Sequence, residues 1–247
     1  EGVLLRTMRV VDGEGRIVRW EERRIVSMDD PHLAALSVVL TPENWSGRMT
    51  LRSAIDGAVI NWGVKRYREL EGRHHEILET DCDAGNVLAL RSRFIQARRE
   101  VALAARTRVD MDGVGVAPTR QEALPEGAET EFDLTMREGE AVRAEKVAAY
   151  HNSEDHAIAE PMAEAIRAVR RAPAFAALES RHRLAWKHLW EQCDIQVDST
   201  ANHGAQLRLR LHIFHLMQTA SFHSVESDVG IPPRGWHGEA YRGHIMW

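Results

Sequence analysis

The hydrophobic period of this chain changes part-way along, and that change restricts the fold more than any single motif does. From Val3 to about Tyr150, apolar residues alternate with polar ones or run in short pieces between turn formers. Successive side chains of an extended strand point to opposite faces, so a period of two makes one apolar face and one wet face. Phe132, Leu134 and Met136, interleaved with Glu131, Asp133 and Thr135, have this pattern. Asp12-Gly-Glu-Gly15 predicts a hairpin turn between strands over Val3–Val11 and Ile17–Met28. Strands are also predicted over His32–Leu40 and Met49–Ile55, split by the turn-rich segment Thr41–Gly47, and over Ala141–Tyr150 after Arg137-Glu-Gly-Glu140. A parallel sheet needs helices between its strands, and none is visible here, so the expected architecture is an antiparallel β-sandwich.

Beyond about Asp155 the period becomes helical. Met162, Ala165, Ile166 and Val169 share one face of a helix that opens at Pro161, a residue tolerated at a first helical position. A second helix is expected from about Ala174 to Cys193, with Phe175, Leu178, Ala185, Trp186, Leu189 and Trp190 at helical spacing. A third, from about Gly204 to Ala220, carries Leu207, Leu209, Leu211, Ile213, Phe214, Leu216 and Met217 over more than half its circumference, which calls for neighbours on several sides. The expected layout is a β-sandwich over 1–155, a helical linker over 156–183, and the opening helices of an all-α domain over 184–247. Glu1 leads directly into a strand and Trp247 follows an apolar His-Ile-Met run, so the chain reads as part of a longer protein, with its last helices incompletely covered.

Composition narrows the function classes. A net charge of −5 and a pI near 6.2, with arginines scattered along the chain, disfavour binding to nucleic acid or to an anionic membrane. No apolar run approaches the roughly 18 to 20 residues needed to span a bilayer. Cys82 and Cys193 lie far apart and outside any CxxC spacing, which fits reduced thiols in a cytoplasmic protein. Adjacent His74, His75 and Glu76 point to alternate sides of a strand and make a poor metal site. His212 and His215 share one side of the third helix and read as packing histidines, as Trp186 and Trp190 read as core. Asp29-Asp30-Pro31-His32 reads as a turn. No nucleophile elbow, P-loop, dinucleotide fingerprint or HExxH occurs. No metal and no organic cofactor is assigned.

The segment with the densest chemistry is the glycine-rich tail, Gly230–Trp247. Arg234, His237, Glu239, Tyr241, Arg242 and His244 supply donors, acceptors and a ring face, while Gly235, Gly238 and Gly243 let the backbone come close to a ligand. A sugar suits this mixture, because its hydroxyls need many oriented partners and its apolar face packs on aromatic rings. Glu239 is the one carboxylate in the loop. Arg234, Arg242 and the histidines around it favour its ionised form, the wrong state for donating a proton, so it reads as a substrate-orienting residue and not as the acid.

Several segments together resemble glycoside hydrolase family 65. They are Ser27–Leu36, Leu40–Gly47, Arg52–Gly57, Lys146–Asp155, His188–Asp194, Leu209–Leu216 and, most specifically, the tail ending Gly238-Glu-Ala-Tyr-Arg-Gly-His-Ile-Met-Trp247. The resemblance implies an N-terminal super-β-sandwich, a linker of helices, and a catalytic (α/α)6 barrel whose first helices begin near Leu184 to Leu207. It implies inverting phosphorolysis of an α-linked glucose disaccharide to β-glucose 1-phosphate, with hydrolysis as the alternative and a non-catalytic carbohydrate-binding sandwich as the second. Inorganic phosphate is then the co-substrate, and the family's habit implies a homodimer. The implied substrate-binding residues are Trp247, His244, Gly243, Arg234, Glu239 and Tyr241. The implied general-acid Glu and the phosphate-holding residues lie beyond Trp247, so no catalytic residue is assigned within the chain and no turnover is expected of it alone. Trp236-His237, Ala240 and Ile245-Met246 depart from the family's common pattern beside the sugar pocket and leave the disaccharide open.

Overall fold

The computed structural model describes residues 2–60, 69–83, 85–156, 160–197 and 204–219. Eleven strands come first among these, then three helices. The strands are β1 (Leu4–Val11), β2 (Ile17–Val26), β3 (Leu33–Pro42), β4 (Gly47–Asp56), β5 (His75–Cys82), β6 (Val87–Phe94), β7 (Glu100–Met111), β8 (Val114–Val116), β9 (Arg120–Leu124), β10 (Gly127–Met136) and β11 (Val142–Asn152). The helices are α1 (Pro161–Arg171), α2 (Phe175–Cys193) and α3 (Ala205–Thr219). The chain divides into two compact units, one of Glu1–Ile60 with Arg73–Leu184, the other of Asn61–Gly72 with Ala185–Trp247.

In the first unit the strands form two antiparallel sheets. The larger runs β1-β2-β3-β11-β7-β6-β5, with β8 paired to β7, and the smaller runs β4-β10-β9. The β1–β2 hairpin closes where the sequence places its turn: the Asp12 N–H donates to the Arg16 carbonyl at 3.1 Å, and Gly15 takes a φ of +78°, a left-handed conformation that costs glycine little.

Alternation along each strand sorts its side chains onto the two faces of the large sheet, where three buried clusters form. Val38 and Leu40 of β3, Phe132, Leu134 and Met136 of β10, and Val142 and Ala144 of β11 are buried between the sheets. The neighbouring set, Leu33 and Ala35, Val87 and Ala89, Ala102 and Ala104, Val147 and Ala149, faces the other way, against Met162, Ala165 and Val169 of α1 and Phe175 and Leu178 of α2. The large sheet is therefore apolar on both faces, covered by the small sheet on one side and by helix on the other. That accounts for the unbroken run Val87-Leu-Ala-Leu90, whose members are all buried.

Polar side chains of the sheet serve the helix ends, whose free N–H and C=O groups need partners. Arg106, almost wholly buried in β7, donates to the carbonyls of Arg170 and Ala172 at 3.0 and 2.9 Å where α1 stops. Glu145 of β11 accepts from the Phe175 N–H at 3.1 Å where α2 begins, an anion at the positive end of the helix dipole. On the inner face of α2, Glu179 is buried and is held by Arg23 of β2 and by Arg183 at 2.7 Å. His182 is 1% exposed: its Nδ1 accepts from the Met28 N–H at 3.1 Å and its Nε2 sits 3.0 Å from the Gly2 carbonyl. Segment 156–183, expected from the sequence as a linker, holds in α1 a helix packed on β6, β7 and β11. No described helix is long and apolar enough to cross a membrane.

Candidate functional site

The residues that the sequence nominates for sugar binding, Arg234, Glu239, Tyr241, Gly243, His244 and Trp247, lie outside the described residues. The structure does describe the helical hairpin that leads toward them. Trp186 of α2 is 2% exposed and packs against Phe214 of α3 with ring centroids 4.9 Å apart and planes tilted by 32°, and the Trp190 ring lies 6.4 Å from it. The core reading of Trp186 holds, and no described sugar platform forms there. Asp194, just past the end of α2, grips Arg210 of α3 through two hydrogen bonds of 3.0 and 2.6 Å, and the guanidinium holds its carboxyl below the usual carboxylate range. Gln206 spans the same connection, accepting from the Val197 N–H at 2.8 Å and donating to the Ile195 carbonyl at 2.9 Å. His212, expected to pack, is exposed. A helix with apolar residues on most of its sides cannot bury all of them against one neighbour.

Within the first unit, the described residues assemble one group with chemical potential that the sequence reading missed. His32, in the connection before β3, His151, near the end of β11, and Asp155, in the turn after it, bring their side chains together. The two imidazoles stack with centroids 3.9 Å apart and planes 16° from parallel. Asp155 Oδ2 lies 3.4 Å from His151 Nδ1 and 3.7 Å from His32 Nδ1. His32 Nδ1 is also 2.8 Å from the Tyr150 carbonyl oxygen, and neither ring nitrogen of the buried His151 has a hydrogen-bond partner. Burial, with His32 adding to it, pushes the His151 imidazole below its ordinary value against the opposing pull of Asp155, so His151 favours its neutral form.

Local chemistry sets each of these residues. Ser27 Oγ accepts from the Asp29 and Asp30 N–H groups, and Asp30 Oδ1 accepts from the His32 N–H at 2.9 Å, which makes the Asp29–His32 segment the turn that the sequence predicts. Asp155 is fixed by the Asn152 N–H at 2.8 Å and the Asn152 side-chain amide at 2.6 Å. The antiparallel pairing of β3 with β11 joins the two ends, and the Tyr150 N–H donates to the His32 carbonyl at 2.9 Å. By contrast, His75 Nε2 lies 2.9 Å from the Gly57 carbonyl oxygen.

Comparison with known proteins places this architecture. The model of the glycosyl hydrolase family 65 N-terminal domain matches residues 1–189, and the model of that family's central catalytic domain matches residues 210–247. The chain belongs to glycosyl hydrolase family 65. An uncharacterized glycosyl hydrolase of Mycobacterium tuberculosis is 39% identical over 245 residues, which are 99% of this chain and 18% of that protein. The kojibiose phosphorylase of Thermoanaerobacter brockii is 27% identical over 259 residues, and the alpha,alpha-trehalose phosphorylase of the same organism 24% identical over 257. Each of these two alignments takes in 100% of this chain and 32% of the relative. The family 65 chain thus spans between about a fifth and a third of the length of these relatives. A solved structure provisionally assigned as a kojibiose phosphorylase from the human microbiome superposes with a TM-score of 0.78, covering 100% of this chain and 30% of that one. At 16% identity that likeness establishes the family 65 fold, a β-sandwich followed by helices.

Proposed function

We propose that the protein carrying this chain cleaves an α-linked glucose disaccharide by inverting phosphorolysis, giving β-glucose 1-phosphate and a free sugar. The observation that carries the proposal is the end-to-end similarity to kojibiose and trehalose phosphorylases, with the sandwich-domain match followed in order by the catalytic-domain match. In an inverting reaction one carboxylic acid protonates the departing oxygen while a nucleophile attacks the opposite face of the sugar. Phosphate can be that nucleophile without a base carboxylate, provided cationic and hydroxyl groups position it. In this reading Trp247, His244, Gly243, Arg234, Glu239 and Tyr241 hold the glucosyl ring, with Glu239 kept ionised beside Arg234 and Arg242. The proton donor and the phosphate cradle come from sequence beyond Trp247, with inorganic phosphate as the co-substrate. The free, separated Cys82 and Cys193 support a cytoplasmic setting.

A hydrolytic reading is favoured by one observation, the 39% identical relative that bears the name of a glycosyl hydrolase. One assay separates the two. The full-length protein is incubated with kojibiose, trehalose, maltose and nigerose, with and without phosphate, and the products are followed by NMR. The expected result is β-glucose 1-phosphate that forms from one disaccharide only when phosphate is present. Equal release of two free sugars without phosphate refutes phosphorolysis, and cleavage by residues 1–247 alone refutes the placement of the acid beyond Trp247.

A further inference from the structure

The His32–His151–Asp155 group suits neutral rings. His151 Nδ1 and Nε2 are buried without a hydrogen-bond partner, so no acceptor is in place to stabilise a second proton on that ring. His32 covers one face of it, with centroids 3.9 Å apart and planes 16° from parallel, and its own Nδ1 lies 2.8 Å from the Tyr150 carbonyl oxygen. Histidine is the side chain whose charge changes between about pH 5 and 8. Two imidazolium rings stacked this closely, and partly shielded from water, repel each other strongly. Among the described residues the opposing charge is limited. Asp155 Oδ2 lies 3.4 Å from His151 Nδ1 and 3.7 Å from His32 Nδ1, and the same oxygen accepts from the Asn152 N–H at 2.8 Å. Glu164 of α1 also favours a charged His151, but Arg167 holds it. On β7 the residue paired with His151 is Ala102, and Glu100 is tied to Arg91 at 3.2 Å. Glu154 in the turn faces Arg99 at 3.7 Å, and Asp30 Oδ1 accepts from the His32 N–H at 2.9 Å. Asp155 can therefore match one charged ring, and a second has no counter-charge of its own.

We infer that the stacked His32–His151 pair and Asp155 form a proton-operated clasp, which joins the turn after β11 to the connection before β3 at neutral pH and releases it in acid. Two backbone contacts depend on the joint. The Tyr150 N–H donates to the His32 carbonyl at 2.9 Å, and the Asn152 N–H donates to Asp155. Charging both rings drives them apart, and with them the strand end that carries His151 and the connection that carries His32. The direction follows from linkage. Burial and His32 hold the folded value of His151 below the unfolded value of about 6.5, so the closed clasp binds fewer protons than the open one. Its contribution is fully present above that pH and is lost as pH falls through the folded value. The turn at 152–155 lies between β11 and α1, so release loosens the sandwich end of the connection to that helix. Strand β10 contains no histidine and serves as an internal reference. The clasp lies within the sandwich unit and does not depend on the proposed phosphorolysis.

The test is hydrogen exchange of the full-length protein, followed by mass spectrometry at pH 7.5 and pH 5 and corrected for the intrinsic effect of pH on amide exchange. Peptides covering residues 29–33 and 150–155 should lose about fivefold or more in protection at pH 5, whereas peptides from β10 should change by less than about twofold. His151→Phe keeps a flat ring in the stack and cannot take a proton, so its loss in the same peptides should fall below about twofold. Circular dichroism at pH 7.5 checks that the variant is folded. If it is not, His32→Phe replaces it with the same expectation, because a single charged ring then faces a neutral one and Asp155 matches it. The inference is overturned if wild-type protection at 29–33 and 150–155 is the same at both pH values, or if β10 loses as much. An equal loss in a folded ring variant and the wild type also overturns it. The wild-type comparison needs no substitution, so a folding defect in a variant does not blunt the test.

Discussion

The sandwich and the helical hairpin that follows it treat apolar residues differently. In the strands at the middle of the sandwich, apolar residues at the expected spacing are buried: Phe132, Leu134 and Met136 are 0%, 2% and 1% exposed, whereas the edge strand β1 leaves Leu5 and Val11 exposed. In the hairpin formed by the later part of α2 and α3, Trp186 and Ile213 are buried, yet Leu207 is 74% exposed and Leu211 and Leu216 are each at least half exposed. An apolar pattern states which face a segment needs to hide. Whether that face is hidden depends on how many neighbours reach it, and the large sheet has a layer on each side.

The strongest challenge to this contrast is a matched pair of truncations. Phe132→Ala removes a ring packed between the sheets and should cost about 3–5 kcal/mol, whereas Leu207→Ala should fall within about 0.5 kcal/mol. Urea unfolding of the two variants measures both, and equal losses would erase the distinction. A smaller effect tests how closely two paired strands approach. A Cβ at Gly127 would sit 2.4 Å from the Ile55 carbonyl oxygen of the paired strand, so Gly127→Ala must displace backbone and should cost about 1–3 kcal/mol. An unchanged urea midpoint would mean that β4 and β10 yield freely at that point.

The smallest of the three effects concerns pH. Burial holds the His182 imidazole below its ordinary value, and its Nδ1 accepts a hydrogen bond from Met28 that protonation would abolish. Because the folded value lies below the unfolded value of about 6.5, this contribution to stability is fully present above that pH. It is lost as pH falls from there through the folded value. Urea midpoints measured at pH 7.5 and pH 5 should therefore decrease, and the decrease should be smaller in His182→Gln. An equal decrease in both would remove His182 from the account.

Much of the sandwich was legible in the sequence because its signals are local. The Asp12–Gly15 turn, the period of two in β10 and the buried stripe of α1 each lie within a few residues of one another. Strands β5 to β9 gave no comparable sign, for physical reasons. β6 and much of β7 are buried on both faces, so Val87–Leu90 and the alanines at 102, 104 and 105 do not alternate, and a register shift between Ile77 and Glu79 breaks the period of β5. Similarly, nothing in the spacing of Arg106 or Glu145 reveals that they serve the ends of helices some 64 and 30 residues away.

The sequence by itself determined the switch from strands to helices, the hairpin turn, the family, and a tail whose residue types suit a sugar. Those properties follow from backbone geometry and side-chain chemistry read over short windows. Only the tertiary structure decided that β11 lies between β3 and β7, and with that order that His32 meets His151 and Asp155. Such a meeting depends on pairing between strands more than a hundred residues apart, where the packing of whole faces selects the partner and no local pattern records the choice.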